Sequence, residues 1–319
     1  MSLKTDTAVF STPSCIALAA GLAPHAEPFS LDTLSGPESL LGDCGTAFFT
    51  AAPFTLGTLP EGTKHFAGEG LSLPAPTYLA GAVNSTFSVA WKLVEDGMLP
   101  PWGAVLAQRQ NAGRGQMRRA WHSPPGNLYV SFRLPDDPFF FSGPASLLVG
   151  YLLVSAFHDM GFPLMLKWPN DLLSAAQAKV GGILLEERGG VLLAGLGINI
   201  LHRPEAGSLR KDSATPAGVL VSASTLEKNP VPAPFFLWQD LVGRVILAYE
   251  QKVAQRSFSE LIPRLEPHLA WKGQQVVLSD TDGTRITGRY ETLSSGGGLV
   301  LRMPDGQMRE LYSGSLSRP

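Results

Sequence analysis

Four arginines, Arg109, Arg114, Arg118 and Arg119, fall within eleven residues, and no acid stands among them. Gly113 and Gly115 flank Arg114 in this run. Glycines let a backbone approach a ligand closely, and the N–H groups of such a loop form a concave anion site. Arginine adds a planar fork that grips a carboxylate or phosphate through two bonds. A second group follows in Lys167-Trp168-Pro169-Asn170-Asp171, with Lys179 and the pair Gly181-Gly182 shortly after. Asn and Asp at such a corner also suit a plain turn. The two lysines point further, because a lysine is a compact point charge for a phosphoryl oxygen. A third segment, Gly195-Leu196-Gly197-Ile198-Asn199, puts one amide into an otherwise apolar run, where it needs a backbone or ligand partner.

These groups need elements to hold them. Asn84 or Ser85 can cap a helix whose apolar face is Phe87, Ala90, Trp91 and Val94, stopped by Gly97 and Pro100-Pro101. Strands are expected at Ala104–Ala107 and Asn127–Leu134, then a helix over Ala145–Asp159. Further strands are expected at Leu164–Lys167, Gly182–Glu186 and Val191–Leu196, and a long helical region spans 235–266. After Trp271 come short strands at Val276–Ser279, Arg285–Thr292, Leu299–Met303 and Met308–Tyr312. They are joined by Asp282-Gly283, Gly296-Gly297-Gly298 and Asp305-Gly306, the texture of a small barrel. The fold class is α+β, a mixed sheet packed by helices with a small β unit behind it.

Composition closes off other classes. Of 319 residues 44% are hydrophobic and only 16% charged, with 34 Gly and 26 Pro in no period, so coiled-coil, collagen-like and disordered readings fail. A net charge of −2 leaves no footprint for nucleic acid. Cys15 and Cys44 lack CxxC spacing, which favours a reducing compartment. The longest apolar run, Ser146–Phe157, is far short of the roughly twenty residues a membrane span needs. The expectation is a cytoplasmic protein with no membrane partner. The six histidines show no metal-ligand spacing, and no direct metal site is expected. Residues 1–80 hold seven acids, two lysines, no arginine and eight prolines. They read as an irregular or short-stranded appendage, ahead of a catalytic domain at 81–268 and a β domain at 269–319.

Taken in order, the motifs resemble the biotin protein ligases. The family's landmarks stand here as Gly113–Trp121, Ser123-Pro124-Pro125-Gly126-Asn127-Leu128-Tyr129, Lys167–Asp171, Lys179–Leu184 and Gly195–Asn199. The resemblance runs from about Val83 to Arg318. It implies a ligase core like that of class II aminoacyl-tRNA synthetases, followed by an SH3-like barrel. It also implies two steps: biotin and ATP form biotinyl-5′-AMP and pyrophosphate, and a lysine of a biotin carboxyl carrier domain then takes the biotin.

The site residues follow from the same resemblance. Arg114, Lys179 and Asp171 are the catalytic candidates. Ser85, Thr86, Gln110, Gly113, Arg114, Lys179 and Gly182 would hold biotin, in a slot walled by Leu128 and Ile183. Gly115, Gln116, Arg119, Trp121, Lys167, Asn170 and Asn199 would hold ATP or the adenylate. Mg²⁺ would arrive with ATP, with Asp171 orienting it or taking the incoming amine's proton. Lipoate ligases share this logic and are the nearest alternative; a weakened biotin-binding sensor is another. A homodimer through a sheet edge is compatible with the family.

Two departures stand out. The family's Asp/Glu-Ser-Thr-Asn is Asn84-Ser85-Thr86-Phe87 here, and its loop Arg-x-Gly-Arg is Gln116-Met117-Arg118-Arg119. The loop has Gln116 where the family has a cationic donor and Arg118 where it has a flexible glycine, and it is expected to retain the adenylate less tightly. Some relatives carry a DNA-binding repressor domain. The acidic, proline-broken residues 1–80 supply no basic recognition helix, so no sequence-specific DNA is expected.

Overall fold

In the computed structural model the described residues are 15–18, 38–40, 50–51, 64–67, 74–141, 144–205, 215–220, 231–280 and 283–319. Most of the expected N-terminal appendage, with Cys44, lies outside them, as does Asp282 of the first expected turn. Three short N-terminal strands are described, β1 (Cys15–Leu18), β2 (Thr50–Ala51) and β3 (Lys64–Ala67). They are followed by β4 (Thr77–Val83), whose seven residues are all buried. β4 runs parallel to both β1 and β5 (Ala104–Gln110). The expected boundary at 80/81 therefore falls inside a central strand. Thr77–Ala80 lie in the same sheet as the strands that follow them, and a buried run of this kind is what a strand covered on both faces requires.

Between β4 and β5 lies α1 (Thr86–Glu95), capped by the Ser85 hydroxyl, which accepts from the Phe87 N–H at 3.3 Å. β6 (Leu128–Arg133) pairs antiparallel with β5, and the short α2 (Pro138–Phe141) leads to α3 (Ala145–Asp159). α3 is buried almost all round because the sheet covers one side and a later helix packs on another. β7 (Met165–Lys167), β8 (Asp171–Leu173), β9 (Lys179–Arg188) and β10 (Val191–Ile198) complete a ten-stranded sheet in the order β2-β3-β1-β4-β5-β6-β10-β9-β8-β7. Arg188 and Val191 face each other across Gly189 and Gly190, at φ 56° and 78°, the left-handed pair that a two-residue hairpin demands.

The expected helical region 235–266 is two helices. α4 (Pro234–Ala248) unwinds through a π turn at Tyr249–Val253, and α5 (Phe258–Leu265) starts afresh at a capping box between Ser257 and Glu260. Helical periodicity reports an apolar face, and both segments present one to the same core, so the break is invisible to it. No helix among the described residues is long and apolar enough to cross a membrane.

The C-terminal unit is a five-stranded antiparallel sheet: β11 (Gln275–Ser279), β12 (Arg285–Leu293), β13 (Leu299–Arg302), β14 (Met308–Leu311) and β15 (Ser315–Ser317). Its order is β14-β13-β12-β11-β15. Val276, Tyr290, Leu299 and Leu316 are buried in the same apolar cluster as α3 and α4, so the two units share one core. A second, smaller cluster lies between α1 and the opposite face of the large sheet, including Tyr78, Val83, Trp91 and Val105.

Candidate functional site

Strand register assembles the site. Lys167 pairs with Asp171, Asp171 with Gly182, Gly182 with Gly197, and Gly197 with Tyr129. Residues directly opposite one another in a ladder point to the same face, about 5 Å apart. One row across β7, β8, β9, β10 and β6 thus collects a residue from each of four sequence motifs. The two glycines in the middle leave a trough. A Cβ on Gly197 would lie 2.7 Å from Trp121 Nε1, and one on Gly195 would lie 2.4 Å from Phe87. The two glycines of β10 therefore leave room for two aromatic rings against the strand, Phe87 from α1 and Trp121 from the arginine-rich loop.

That loop is folded on itself. Arg114 and Ala120 form a β bridge, Gly115 N–H donates to Arg119 O at 2.7 Å, and Trp121 N–H donates to Gly113 O at 2.8 Å. Gln116–Arg118 make a single 3₁₀ turn with Met117 at φ 57°. Arg114 and Arg119 are exposed on it.

Above the row lies a cavity of about 1120 Å³. Pockets for one drug-sized ligand run to roughly 1,000 Å³, so this one has room for two small substrates side by side. Every candidate site residue lines it: Ser85, Thr86, Gln110, Gly113, Arg114, Gly115, Gln116, Arg119, Trp121, Lys167, Asn170, Asp171, Lys179, Gly182 and Asn199. Leu128 does not. It alternates to the other face of β6, into the core under α3, and its neighbour Tyr129 faces the cavity instead. Ile183 reaches the cavity wall, although its side chain belongs to that same core.

At one end Thr86, Gln110 and Ser123 form a polar network. Gln110 Oε1 accepts from the Thr86 N–H at 2.9 Å and from its hydroxyl at 3.3 Å, and Gln110 Nε2 donates to Ser123 Oγ at 3.1 Å. Ser131 holds Thr86 Oγ1 from below at 2.7 Å. Donors and acceptors fixed in this way suit a urea-like ring. Ser123, Ser131, Tyr129, Thr215 and Arg203 were not among the sequence candidates. Ser123 and Tyr129 stand inside a quoted motif and could have been found there; Thr215 and Arg203 carry no local signal.

At the other end stands an ion triad. Lys179 Nζ lies 2.5 Å from Asp171 Oδ1 and Lys167 Nζ 2.9 Å from Oδ2. Asp171 is 13% exposed, and burial pushes its carboxyl upward, but Lys179 and Lys167 together outweigh burial and hold it at about 2. A carboxylate that far below neutrality is a poor proton acceptor, which weighs against the general-base role expected of it. Its charge is also already shared between two ammonium groups. Among the described residues no three His, Cys, Asp or Glu side chains gather to hold a metal. Lys179 Nζ additionally lies 5.4 Å from the centroid of the Trp121 ring.

Asn170 and Asn199 brace backbone. Asn170 Nδ2 donates to Ile183 O at 2.6 Å, and Asn199 Nδ2 donates to Gly218 O at 3.0 Å. The indole N–H of Trp121 is buried without a hydrogen-bond partner, an orphan donor beside the cavity. Gly197→Ala tests the seat of that ring. The new methyl must displace the indole, at roughly 1–3 kcal/mol for overpacking. On the expectation that Trp121 holds the nucleotide, the Michaelis constant of ATP should rise about tenfold while that of the second substrate stays put. An unchanged nucleotide constant would remove Trp121 from the nucleotide site.

Residues 80–201 match the model of the biotin/lipoate A/B protein ligase family. A biotin--[acetyl-CoA-carboxylase] ligase of Paracoccus denitrificans is 28% identical over 233 residues, covering 70% of this chain and 93% of that protein. A bifunctional ligase/repressor of Bacillus subtilis is 35% identical over 130 residues, 38% of this chain and 39% of that one. Among solved structures, the biotin protein ligase from Aquifex aeolicus in complex with biotin and ATP superposes with a TM-score of 0.60 at 27% identity, over 76% of this chain and 99% of that one. The motif residues gathered beneath this one cavity, from Ser85 to Asn199, all lie within residues 80–201, the stretch that matches the family model.

Proposed function

We propose that this chain is an ATP-dependent biotin–protein ligase. A carboxylate oxygen of biotin attacks the α-phosphorus of ATP, the bond to the bridging oxygen breaks, and pyrophosphate leaves. A lysine amine on the biotin carrier domain of a carboxylase then attacks the acyl carbon, and AMP leaves. The observation that carries this reading is a cavity with a polar network at one end and Lys179, with its ion partners, at the other. Biotin's ureido ring fits the Thr86–Gln110–Ser123 end, which turns its carboxylate toward Lys179.

Carboxylate and triphosphate repel, so catalysis requires cations placed where charge develops. Lys179 is placed to neutralise the reacting oxygens, and Arg114 with the amides of Gly113 and Gly115 can gather the anions from above. Trp121 provides a flat surface for the adenine and an unpaired N–H. The donor set here suits Mg²⁺ carried by the triphosphate rather than a protein-bound metal, and Mg²⁺ would screen the β- and γ-phosphates.

Pyrophosphate exchange into ATP tests the first step, run with biotin, with lipoate and with neither. Biotin-dependent exchange is expected, followed by label transfer to an isolated carrier domain. Exchange with lipoate alone would move the substrate, and biotin binding without exchange would make the protein a sensor.

A further inference from the structure

Lys167 is the most buried cation of the site, 6% exposed, and it has only half a share in Asp171. Its remaining neighbours are Thr215 Oγ1 at 3.3 Å and the ring of Trp271, whose centroid lies 5.5 Å from Nζ. Trp271 belongs to none of the motifs. It stands where the chain leaves the catalytic unit, next to Ala270, whose N–H donates to Leu166 O at 2.9 Å. It is 4% exposed and holds φ 65°, a left-handed conformation a bulky residue adopts only under constraint. The constraint is visible. Trp271 Nε1 donates to Gln177 Oε1 at 2.7 Å, and Gln177, in the turn before Lys179, is itself left-handed at φ 60°. From the C-terminal unit, the Arg318 guanidinium lies 5.9 Å from the same ring.

We propose that Trp271 is a positioning residue for the nucleotide half of the site. Its electron-rich face holds the Lys167 ammonium, and Lys167 in turn sets the carboxylate that Lys179 shares. One continuous set of contacts therefore runs from Arg318 through Trp271, Lys167, Asp171 and Lys179 to the Trp121 ring. Gln177 fixes the angle of the Trp271 ring from the hairpin that carries Lys179. The network proposed for biotin's ureido ring rests on other elements, α1, β5 and the Ser123 turn, so the effect of Trp271 falls mainly on ATP. The inference rests on the proposed adenylation reading.

The test compares Trp271→Leu and Trp271→Phe with the wild type on the full chain, reading the Michaelis constants of ATP and biotin separately in pyrophosphate exchange. Trp271→Leu, which removes the ring face, should raise the ATP constant roughly tenfold and leave the biotin constant within about twofold. Trp271→Phe, which keeps a ring, should recover most of the loss. An unchanged ATP constant overturns the proposal, and so does an equal rise in both constants that Phe fails to rescue, since that marks a merely structural residue. If Trp271→Leu does not fold, Gln177→Met decides: it frees the indole at a partly exposed turn and should shift the ATP constant alone, and no shift overturns the proposal. If the wild type catalyses no exchange, the adenylation reading fails separately. Calorimetric titration of ATP into wild type and Trp271→Leu then still decides, with equal affinities overturning the inference.

Discussion

Replacing Lys179 by methionine should lower biotin-dependent pyrophosphate exchange by roughly two to three orders of magnitude, the usual effect of removing one preorganised donor from a site of developing charge. Methionine keeps an unbranched stem beside Trp121 and removes only the ammonium. Lys179 is 32% exposed, so its loss leaves no large void and the melting temperature should hold. Asp171 keeps Lys167 at 2.9 Å, so the carboxylate is not orphaned. The loss should appear mainly in the turnover number, because the interaction is made with charge that develops as biotin and ATP react. A loss below tenfold would place Lys179 away from the reacting oxygens and leave the arginine loop as the principal source of positive charge.

Asp171→Asn should be the most damaging substitution for stability within the site. It leaves Lys167, 6% exposed, facing Lys179 with no anion between them. Removing one partner of a buried pair costs about 3–5 kcal/mol. The partial exposure of Lys179 brings the expectation to the lower end, about 3 kcal/mol. Melting temperature at neutral pH checks this directly. The pH dependence gives a second, independent reading. The folded carboxyl stands at about 2, below its ordinary 3.8, so its stabilisation is fully present above about pH 4 and is lost as pH falls toward 2. The gap between wild type and Asp171→Asn should therefore narrow on acidification through that window. A gap constant from pH 7 to pH 2 would mean the carboxylate is not held by the two lysines. The isosteric change should also cut exchange activity, since Lys167 and Lys179 lose the group that fixes their spacing.

Much of the fold can be read locally. α1 and its Ser85 cap, α3 from Ala145 to Asp159, and four strands of the C-terminal sheet follow from periodicity and glycine turns. β4 does not, because Thr77–Val83 is a short apolar run behind two prolines, and only parallel partners on both sides make it a strand. Leu128 and Tyr129 illustrate a different limit. Both are apolar-bodied residues in one strand, and which of them faces the ligand depends on strand phase, which pairing with β10 sets. The left-handed turn at Met117, within the altered loop, is likewise a product of the loop's own ladder.

The residue types determined the chemistry: an arginine-glycine loop for anions, lysines beside a carboxylate, and glycines where a ligand must approach the backbone closely. Five motifs in order carried the resemblance to the biotin protein ligases. Tertiary structure decided how those groups are used. It showed Asp171 neutralised by two lysines, and the buried Trp168 donating its indole N–H to Gly297 O in the turn between β12 and β13. It also brought Trp271, 104 residues beyond Lys167 in the chain, onto that lysine. The reason is that a side chain's charge and shape are local, while its pKa, its partner and the face it presents depend on strand register and on packing between segments far apart in sequence.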